Sequence, residues 1–319
     1  MNLTEEQALE LVDKYWEREY NKIQSIDFPK TREHEVSEEK MKNELFSLET
    51  KELSWKANSS LLAYFHPSLR YANKKGKLSP YEFWCQLKKN PTMFKKFYKN
   101  RLKCSDYFKE SEEKNKLLWK GEVPEFIYGI GLTTGMFAPR VSIFKPAAAK
   151  SLIKAYLDEF DTIFDPTAGY SGRMIGAVCC GKNYIGRDIN DLTIEEDKNC
   201  WNFVKENIST NPTVDLAVAD ALAVKGEYDC LMTCPPYEKI EEWKNSKGEK
   251  ISSTKTCDEW IEALIDNYKC KKYVIVVDNK IDKFEKYVKG EFENTNYIGA
   301  RKGKLTKASF NSEKIVVIE

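Results

Sequence analysis

The chain has 319 residues, 41% of them hydrophobic and 32% charged, and its 51 Lys and Arg against 50 Asp and Glu give a formal net charge of +1. This composition excludes collagen-like, low-complexity and wholly disordered proteins, and the length allows one large domain or two ordinary ones. The first residues are polar and acidic, and no apolar run is long enough to span a membrane, which predicts a cytoplasmic protein without an export signal.

Neither a metal site nor disulfide bonds are expected. The nine cysteines include no Cys-x-x-Cys pair, and His34 and His66 are the only histidines, so a structural zinc site is not predicted. Free, reduced thiols are the default for a cytoplasmic protein. The two histidines have no partner pattern, which favours a surface position or a local hydrogen bond over catalysis.

The first 118 residues are predicted to form a mainly helical, locally basic region that binds nucleic acid. Residues 1–50 hold 7 basic and 13 acidic side chains, whereas residues 51–125 hold 17 and 8. Within residues 69–104, 11 basic residues and one acid are interleaved with seven aromatics. We expect the aromatics to form a core and the basic residues to bind phosphates, although lysines that merely solvate that core are the alternative. The predicted phosphate-binding residues are Lys88, Lys89, Lys95, Lys96, Lys99, Arg101 and Lys103.

Residues 119–319 have the pattern of an α/β domain. Short apolar runs alternate with helical segments, which predicts a parallel-rich sheet covered on both faces. The predicted strands are 161–165, 183–188, 213–220, 228–233, 272–278 and 314–319.

A glycine-rich turn follows the first predicted strand. That strand ends in Asp165, and the sequence PTAGYSG then places Gly169 and Gly172 before a helix, where doubly wound sheets bind nucleotides. Asp188 ends the next strand, in a position from which a carboxylate accepts hydrogen bonds from ribose hydroxyls, and Asp220 ends the third, where it could meet an adenine amino group. Because no lysine-bearing phosphate loop is present, these residues predict a pocket for adenosine without phosphates.

Two prolines and an aromatic residue follow the fourth predicted strand, in the sequence CPPY. Pro235 and Pro236 cannot donate hydrogen bonds, so the turn presents carbonyl oxygens, with the ring of Tyr237 beside them. Such a turn suits a planar base that carries an amino group.

Together these motifs resemble those of the S-adenosylmethionine-dependent amino-methyltransferases of DNA, in the adenine N6 or cytosine N4 types of prokaryotes and phages. In that family the cofactor turn looks like DPTAGYSG, the catalytic motif is (Asp/Asn/Ser)-Pro-Pro-(Tyr/Phe/Trp), and a segment similar to FAPRVSIFKPAAAKSLIKAY precedes the turn. The resemblance covers roughly residues 130–319. It implies that residues 119–319 form a Rossmann-like, seven-stranded methyltransferase sheet. It also implies that the protein acts on DNA in the cytoplasm of a bacterial or phage-infected host cell.

The resemblance also implies the residues of the site. Asp165 and Gly169 would line the methionine and ribose side of the S-adenosylmethionine pocket, Asp188 would bind the ribose, and Asp220 the adenine. The segment before the first strand would close over the methionine end of the cofactor. The implied cofactor-binding residues are Phe144, Lys145, Pro146, Asp165, Pro166, Thr167, Ala168, Gly169, Gly172, Asp188, Ile189, Asp220 and Ala221, and the implied catalytic residues are Cys234, Pro235, Pro236 and Tyr237.

Catalysis in this family depends on positioning and electrostatics. Hydrogen bonds to the side chain of the first motif residue and to the Pro235 carbonyl would make the exocyclic nitrogen nucleophilic, while Tyr237 stacks on a base swung out of the duplex. Cys234 departs from the family pattern, since a thiol is a weak acceptor. Three consequences are possible: the Pro235 carbonyl supplies most of the activation of the substrate nitrogen, Thr233 helps, or the activity is low. A role of Cys234 as a nucleophile, as in carbon-5 cytosine methylation, is disfavoured because the Pro-Cys order and the other motifs of that chemistry are absent.

Three alternatives remain at the level of sequence. These are methylation of an RNA base amino group, methylation of a protein glutamine amide, which the basic N-terminal region disfavours, and a nucleic-acid-binding module with a vestigial methyltransferase fold. Residues 238–260 are polar and Lys-rich, and they are interpreted either as a loop that orders over nucleic acid or as a disordered insertion. The sequence indicates neither the target base and recognition sequence nor the oligomeric state.

Overall fold

The computed structural model describes residues 5–25, 37–54, 59–74, 76–104, 141, 143–236, 241–278, 293–294 and 313–319. The chain divides into two compact units. The helical unit comprises Met1–His34 and Arg70–Val141, and the sheet unit comprises Glu35–Leu69 and Ser142–Glu319. Residues 35–69 thus belong with the sheet, although they lie inside the predicted N-terminal region, and the predicted boundary between residues 118 and 119 lies outside the described residues.

The helices and strands are numbered in chain order. The helices are α1 (Glu5–Gln24), α2 (Glu38–Thr50), α3 (Ser60–Phe65), α4 (Pro80–Lys89), α5 (Pro91–Cys104), α6 (Pro146–Tyr156), α7 (Gly172–Val178), α8 (Asp191–Asn207) and α9 (Cys257–Asn267), with a 3-10 helix at Pro67–Arg70. The strands are β1 (Asn73–Lys74), β2 (Thr162–Asp165), β3 (Asn183–Asp188), β4 (Val214–Val218), β5 (Gly226–Thr233), β6 (Glu241–Lys244), β7 (Lys250–Ile251), β8 (Tyr268–Asp278), β9 (Glu293–Asn294) and β10 (Glu313–Ile318).

In its described residues the helical unit contains the helices α1, α4 and α5, and most of the large side chains buried there are aromatic. Helix α4 begins with a capping box, in which the Ser79 hydroxyl accepts from the Glu82 N–H and the Glu82 carboxylate accepts from the Ser79 N–H. Five of the seven interleaved aromatics, Phe83, Trp84, Phe94, Phe97 and Tyr98, are buried, as predicted. The described part of the N-terminal region is therefore mainly helical, in agreement with the sequence.

The large sheet has the strand order β4-β3-β2-β5-β8-β10-β9. The first five strands of this order are parallel, β10 pairs antiparallel with β8, and β9 pairs antiparallel with β10. Six strands have four residues or more, and β9 has two. All six predicted strands are present, so the predicted Rossmann-like α/β sheet is confirmed.

Alternate residues of the central strands enter two separate cores, which is the pattern of a sheet covered on both faces. Ile163, Cys230 and Val274 lie on one face, among residues of α2, α3, α6, α7 and α8. Phe164 and Leu231 lie on the other, against α9.

Helices α2 and α3 contribute to the first of these cores. Met41, Leu45 and Leu48 of α2 and Leu61 of α3 are buried in the same cluster as residues of α6. A buried lysine reinforces this packing, because the ammonium group of Lys150 donates to the carbonyl oxygens of Leu48, Glu49 and Lys51 at the C-terminus of α2. These carbonyls have no partner within the helix, so a distant side chain caps α2.

Strand order reverses between β2 and β5, because β3 and β4 lie on one side of β2 and β8 and β10 lie beyond β5. In open parallel sheets, ligands bind at such a switch point, outside the carboxyl ends of the strands. Both predicted turns, DPTAGYSG after β2 and CPPY after β5, begin at this point.

Candidate active site

A buried carboxylate organises the turn after β2. Asp165 is 0% exposed, and its Oδ2 accepts from Arg173 Nε at 2.6 Å and from the Tyr184 hydroxyl at 2.7 Å. Its Oδ1 accepts from the Thr233 hydroxyl at 2.7 Å and from the Thr167 N–H at 3.2 Å. Since four protein donors surround it, the Asp165 side chain holds the turn together.

Two threonines connect this carboxylate to the CPPY turn. The hydroxyl oxygens of Thr167 and Thr233 are 2.6 Å apart, and the Thr167 hydroxyl is 3.2 Å from the Cys234 carbonyl oxygen. Each hydroxyl has one proton, so Thr233 donates to Asp165 and accepts from Thr167, whose proton is shared with the Cys234 carbonyl. Thr233 is 0% exposed, which rules out the expected direct help of its hydroxyl at the substrate nitrogen.

The residues of the CPPY turn differ in exposure. Cys234 and Pro236 are partly exposed and Pro235 is buried, while Tyr237 lies outside the described residues. The Cys234 carbonyl is turned toward Thr167, whereas no donor in the described part of the chain bonds the Pro235 carbonyl oxygen. The Pro235 oxygen is therefore the acceptor that this turn leaves available.

Asp188 lies at the carboxyl end of β3, beside the glycine turn. Its Oδ2 accepts from the Gly169 N–H at 3.0 Å and its Oδ1 from the Asn190 N–H at 2.9 Å. Gly169 has a φ of 60°, a conformation that favours glycine and that aims its N–H at the carboxylate. Burial raises the pKa of Asp188 to about 6, although the two backbone N–H groups oppose the rise.

Apolar side chains flank this carboxylate at the sheet edge. Val218 pairs with Asp188 across β3 and β4, and the side chains of Val218 and Ile189 are 53% and 51% exposed. Asp220, two residues after β4, is exposed, and its Oδ1 accepts from the Leu222 N–H at 2.9 Å. Ala221 is buried, and its carbonyl accepts from the Tyr268 hydroxyl at 3.0 Å.

The segment expected to close over the cofactor packs directly on the glycine turn. A Cβ atom on Gly172 would lie 1.8 Å from the Phe144 carbonyl oxygen, so only glycine permits this approach. Lys145 is the N-cap of α6 and Pro146 its first residue. Of the remaining predicted cofactor residues, Pro166 and Ala168 are buried within the turn.

Arg173 is a site residue that sequence reasoning missed. It lies in the first turn of α7, is 4% exposed, and pairs with Asp165. Its guanidinium carbon is 5.1 Å from the centroid of the Phe144 ring, and its Nη2 donates to the Thr167 carbonyl. Burial alone would lower the pKa of Arg173, but the Asp165 carboxylate raises it, so the group stays charged. The signal in the sequence was an arginine eight residues after a strand-end aspartate.

His66 is buried close to the glycine turn. Of the two predicted roles, a surface position is therefore wrong, and a local hydrogen bond is correct, since the ring bonds the carbonyl of Leu62, four residues earlier. Its Nδ1 is 2.7 Å from the Leu62 carbonyl and its Nε2 is 2.9 Å from Asp197 Oδ1. Ser171, with a φ of 56°, donates to the same Asp197 oxygen at 2.5 Å. These bonds tie α3 and α8 to the turn at the point where its backbone adopts the left-handed conformation.

The polar stretch after the CPPY turn contains a β-hairpin, which the sequence did not predict. Strands β6 and β7 pair antiparallel, and Gly248, with a φ of 78°, lies in the turn between them. The hairpin is bonded to the loop after β3: Asn190 donates to the Lys244 carbonyl at 3.3 Å, and the Ser246 hydroxyl donates to Asp191 at 2.5 Å. The chain beyond the CPPY turn thus returns to the neighbourhood of Asp188.

The predicted phosphate-binding residues lie on two helices of the helical unit. Lys95 forms an ion pair with Asp13 at 2.6 Å and lies 5.3 Å from the centroid of the Trp16 ring, so its charge is partly neutralised. Lys89 and Lys96 are exposed. Lys88 and Lys99 are half-buried, and Arg101 and Lys103 lie on α5 with side chains outside the described part of the structure.

Among the residues that the structure describes, no group of three or more His, Cys, Asp and Glu side chains is arranged to hold a metal ion. Within the same residues, every helix is too short or too polar to cross a membrane.

No protein-family model and no curated protein matches the sequence. Among solved structures, a protein of Thermoplasma acidophilum is similar over 54% of this chain and 86% of its own, at 17% identity and a TM-score of 0.34. Magnesium protoporphyrin IX methyltransferase of Synechocystis with bound S-adenosylmethionine is similar over 53% of this chain and 74% of its own, at 11% identity and a TM-score of 0.35. The N-terminal domain of human METTL16 in complex with S-adenosylhomocysteine is similar over 53% of this chain and 66% of its own, at 13% identity and a TM-score of 0.34. At this similarity, substrate and cofactor have to be inferred from the residues of the site.

Proposed function

We propose that the protein transfers a methyl group from S-adenosylmethionine to the exocyclic amino nitrogen of adenine (N6) or cytosine (N4) in DNA. The observation that carries this proposal is the chain of hydrogen bonds from Asp165 through Thr233 and Thr167 to the Cys234 carbonyl. It joins a nucleoside-type glycine turn to a Pro-Pro turn at the switch point of the sheet. The turn that binds the cofactor and the turn that binds the base must lie side by side for a methyl group to pass from one ligand to the other.

The residues of the cleft fit S-adenosylmethionine. Asp188 uses one lone pair on each oxygen for backbone N–H groups and has acceptor capacity left for ribose hydroxyls. Ile189 and Val218 offer exposed apolar surface for the adenine ring, and Asp220 stands beyond them at the same edge. Phe144, packed against Gly172, would border the methionine end. When bound, this cofactor supplies a methyl group activated by a sulfonium.

The CPPY turn would then position the target nitrogen. Its Pro235 carbonyl accepts a hydrogen bond from the amino group and draws the nitrogen lone pair out of conjugation with the ring. The Cys234 thiol is a second and weaker acceptor. Tyr237 stacks on the flipped base, and Lys89 and Lys96 supply exposed positive charge for the DNA backbone.

The test is to incubate the protein with radiolabelled S-adenosylmethionine and either DNA or RNA, digest the product and identify the labelled nucleoside. We expect N6-methyladenosine or N4-methylcytidine in its deoxy form. Label that appears only in RNA would refute the DNA assignment, and cofactor binding without any transfer would favour a binding module.

The role of Cys234 is tested by substitution with serine, which is a family residue at this position. We expect Cys234→Ser to retain or raise methyl transfer, because a hydroxyl is the better acceptor. Cys85→Ser, at a partly exposed cysteine of the helical unit, is the matched control. A folded Cys234→Ser protein that is completely inactive would show that this position does more than accept a hydrogen bond.

A further inference from the structure

Two tyrosines of the helical unit remain outside its buried core. Of the seven aromatics interleaved with basic residues in the N-terminal region, five are buried, whereas Tyr71 and Tyr81 are 39% and 37% exposed. Their ring centroids lie 5.0 Å apart, at an interplanar angle of 55°. Each ring thus covers part of the other and leaves the rest of its surface to solvent, so packing in the core does not account for the pair.

The pair is fixed from the Tyr81 side. Tyr81 is the second residue of α4, whose start is held by the Ser79 capping box. A hydrogen bond with the Cys85 thiol, one turn further along the helix, raises the pKa of the Tyr81 hydroxyl, so this group stays neutral at physiological pH. Among the described residues, the Tyr71 hydroxyl has no hydrogen-bond partner. Because the Tyr81 ring is already held, little side-chain freedom is left for it to lose when a ligand binds.

A basic turn, formed by Lys74, Gly76 and Lys77, lies in the segment that joins the two rings. The Lys77 N–H donates to the Lys74 carbonyl at 2.8 Å, and Gly76 has a φ of 75°. The side-chain amide of the buried Asn73 donates to the Lys74 carbonyl at 3.2 Å and to the Lys77 carbonyl at 3.1 Å, which fixes the turn. No atom of the described residues lies within 4 Å of a Cβ placed on Gly76, so the turn is at open surface.

The charge around the two rings has a single sign. Residues 69–81 contain four basic side chains and no acidic one. Lys77 is exposed, and neither Lys74 nor Lys77 pairs with a carboxylate in the described part of the chain. Each of these lysines is three or four residues from a tyrosine of the pair, so at most about 14 Å of chain separates cation from ring. A ligand on the rings is therefore within reach of the lysines.

Exposed rings beside unpaired cations suit a flat ligand that is attached to negative charge. Nucleobases stack on aromatic faces and phosphates bind lysines, but the bases inside a duplex have no free face to offer. We propose that Tyr71 and Tyr81 form a stacking platform for unpaired bases of single-stranded DNA, whose phosphates bind Lys74 and Lys77. The choice of DNA rests on the proposed function, whereas the platform itself requires no methyl transfer.

The test measures binding of the full chain, without S-adenosylmethionine, to a single strand of about 12 thymidine nucleotides and to the same strand without bases. Fluorescence anisotropy gives both affinities. We expect the wild-type protein to bind the strand with bases about 10- to 30-fold more tightly, and Tyr71→Ala to lower this ratio about 5-fold. Tyr71→Phe, which keeps the ring, should keep the ratio. Tyr64→Ala, at an exposed tyrosine of the sheet unit that packs on Phe65, is the matched control.

Two further variants separate stacking from charge and from loss of folding. Lys77→Gln should reduce the slope of log affinity against log salt by about 0.7 for the single strand, whereas Tyr71→Ala should leave this slope unchanged. Tyr71→Leu keeps an apolar side chain against Tyr81 and lacks the planar face, so its ratio should fall as it does with alanine.

Several outcomes would overturn the inference. These are a folded Tyr71→Ala or Tyr71→Leu protein with the wild-type ratio, an equal loss in Tyr64→Ala, and a wild-type protein that binds strands with and without bases alike. Tyr71-dependent binding of an RNA strand but not of a DNA strand would overturn the choice of DNA. Because the assay contains no cofactor, a protein that shows the expected ratios but transfers no methyl group would refute the proposed function and support the platform.

Discussion

Replacing Thr233 with valine tests the hydrogen bonds between the two turns. Valine has nearly the shape of threonine, so the substitution removes a hydroxyl without opening a cavity. The hydroxyl donates to Asp165 at 2.7 Å and accepts from Thr167 at 2.6 Å, and the side chain is 0% exposed. Asp165, which is 0% exposed, is then left short of one hydrogen bond, and the Thr167 hydroxyl keeps only the Cys234 carbonyl as acceptor, at 3.2 Å.

The size of the effect follows from these contacts. A hydrogen bond to a charged group contributes about 1.5–3 kcal/mol, and an unsatisfied buried group costs a similar amount. Asp165 Oδ1 keeps the Thr167 N–H at 3.2 Å, so we expect the low to middle part of that range, about 1.5–2 kcal/mol. For a domain of this size the melting temperature should fall by about 2–4 °C per kcal/mol, or ~3–8 °C in total.

Thermal and urea unfolding of the wild-type, Thr233→Val and Thr233→Ser proteins measure this effect. Serine keeps the hydroxyl and loses one methyl group, which costs about 1 kcal/mol. We therefore expect serine to be closer to the wild type than valine in stability, and to retain more methyl transfer because the CPPY turn stays bonded. A valine variant as stable as the wild type, or a serine variant no better than valine, would refute the reasoning.

Three further predictions concern the turn, the ribose and the phosphate contacts. Gly172→Ala should lower the free energy of unfolding by about 1–3 kcal/mol or more, measured by urea denaturation, because its Cβ would meet the Phe144 carbonyl oxygen. Asp188, with a pKa of about 6, is ionised above that pH, so affinity for S-adenosylmethionine, measured by calorimetry, should fall about tenfold from pH 8 to pH 5. Replacing Lys89 and Lys96 with glutamine should weaken DNA binding and reduce the slope of log affinity against log salt by about 2, measured by fluorescence anisotropy.

Each of the three has a control or a contradicting result. A Gly172→Ala protein with wild-type stability would contradict the close approach to Phe144. Asp188→Asn should bind the cofactor weakly at every pH, and a persisting pH dependence in that variant would assign the titration to another group. Glutamines at Lys269 and Lys271, exposed lysines at the beginning of β8, should leave DNA binding unchanged.

The strands and the two turns could be predicted because their signals are local. An apolar run bounded by turn residues predicts a buried strand wherever it occurs, and β3 (Asn183–Asp188) has the same bounds in sequence and structure. Glycines after Asp165 and prolines after Thr233 restrict the backbone by their own covalent geometry. The sheet and the location of the site were therefore predictable.

The remaining features depend on partners that are distant in sequence. Lys150 is a surface residue by composition, and only the packing of α2 shows that it is buried with three carbonyls more than 95 residues away. His66 finds Asp197 across 131 residues. The environment of Arg173 likewise follows from the fold and not from its sequence neighbours. A pattern within one segment does not indicate such contacts, and therefore the sequence did not indicate that α2 and α3 pack with the sheet.

The capping of α2 by Lys150 has a consequence for biosynthesis. During translation α2 and α3 emerge early, but their core partners and the lysine that caps α2 follow about 100 residues later, after most of the helical unit. Strand β10 lies between β8 and β9, so the sheet is completed only when residues 313–318 have left the ribosome. Contacts of such long sequence separation slow folding and leave apolar helix faces uncovered in the meantime. A fragment that starts at residue 119 would lack α2 and α3 altogether, leaving the α6 face of the core and the Lys150 ammonium without their partners.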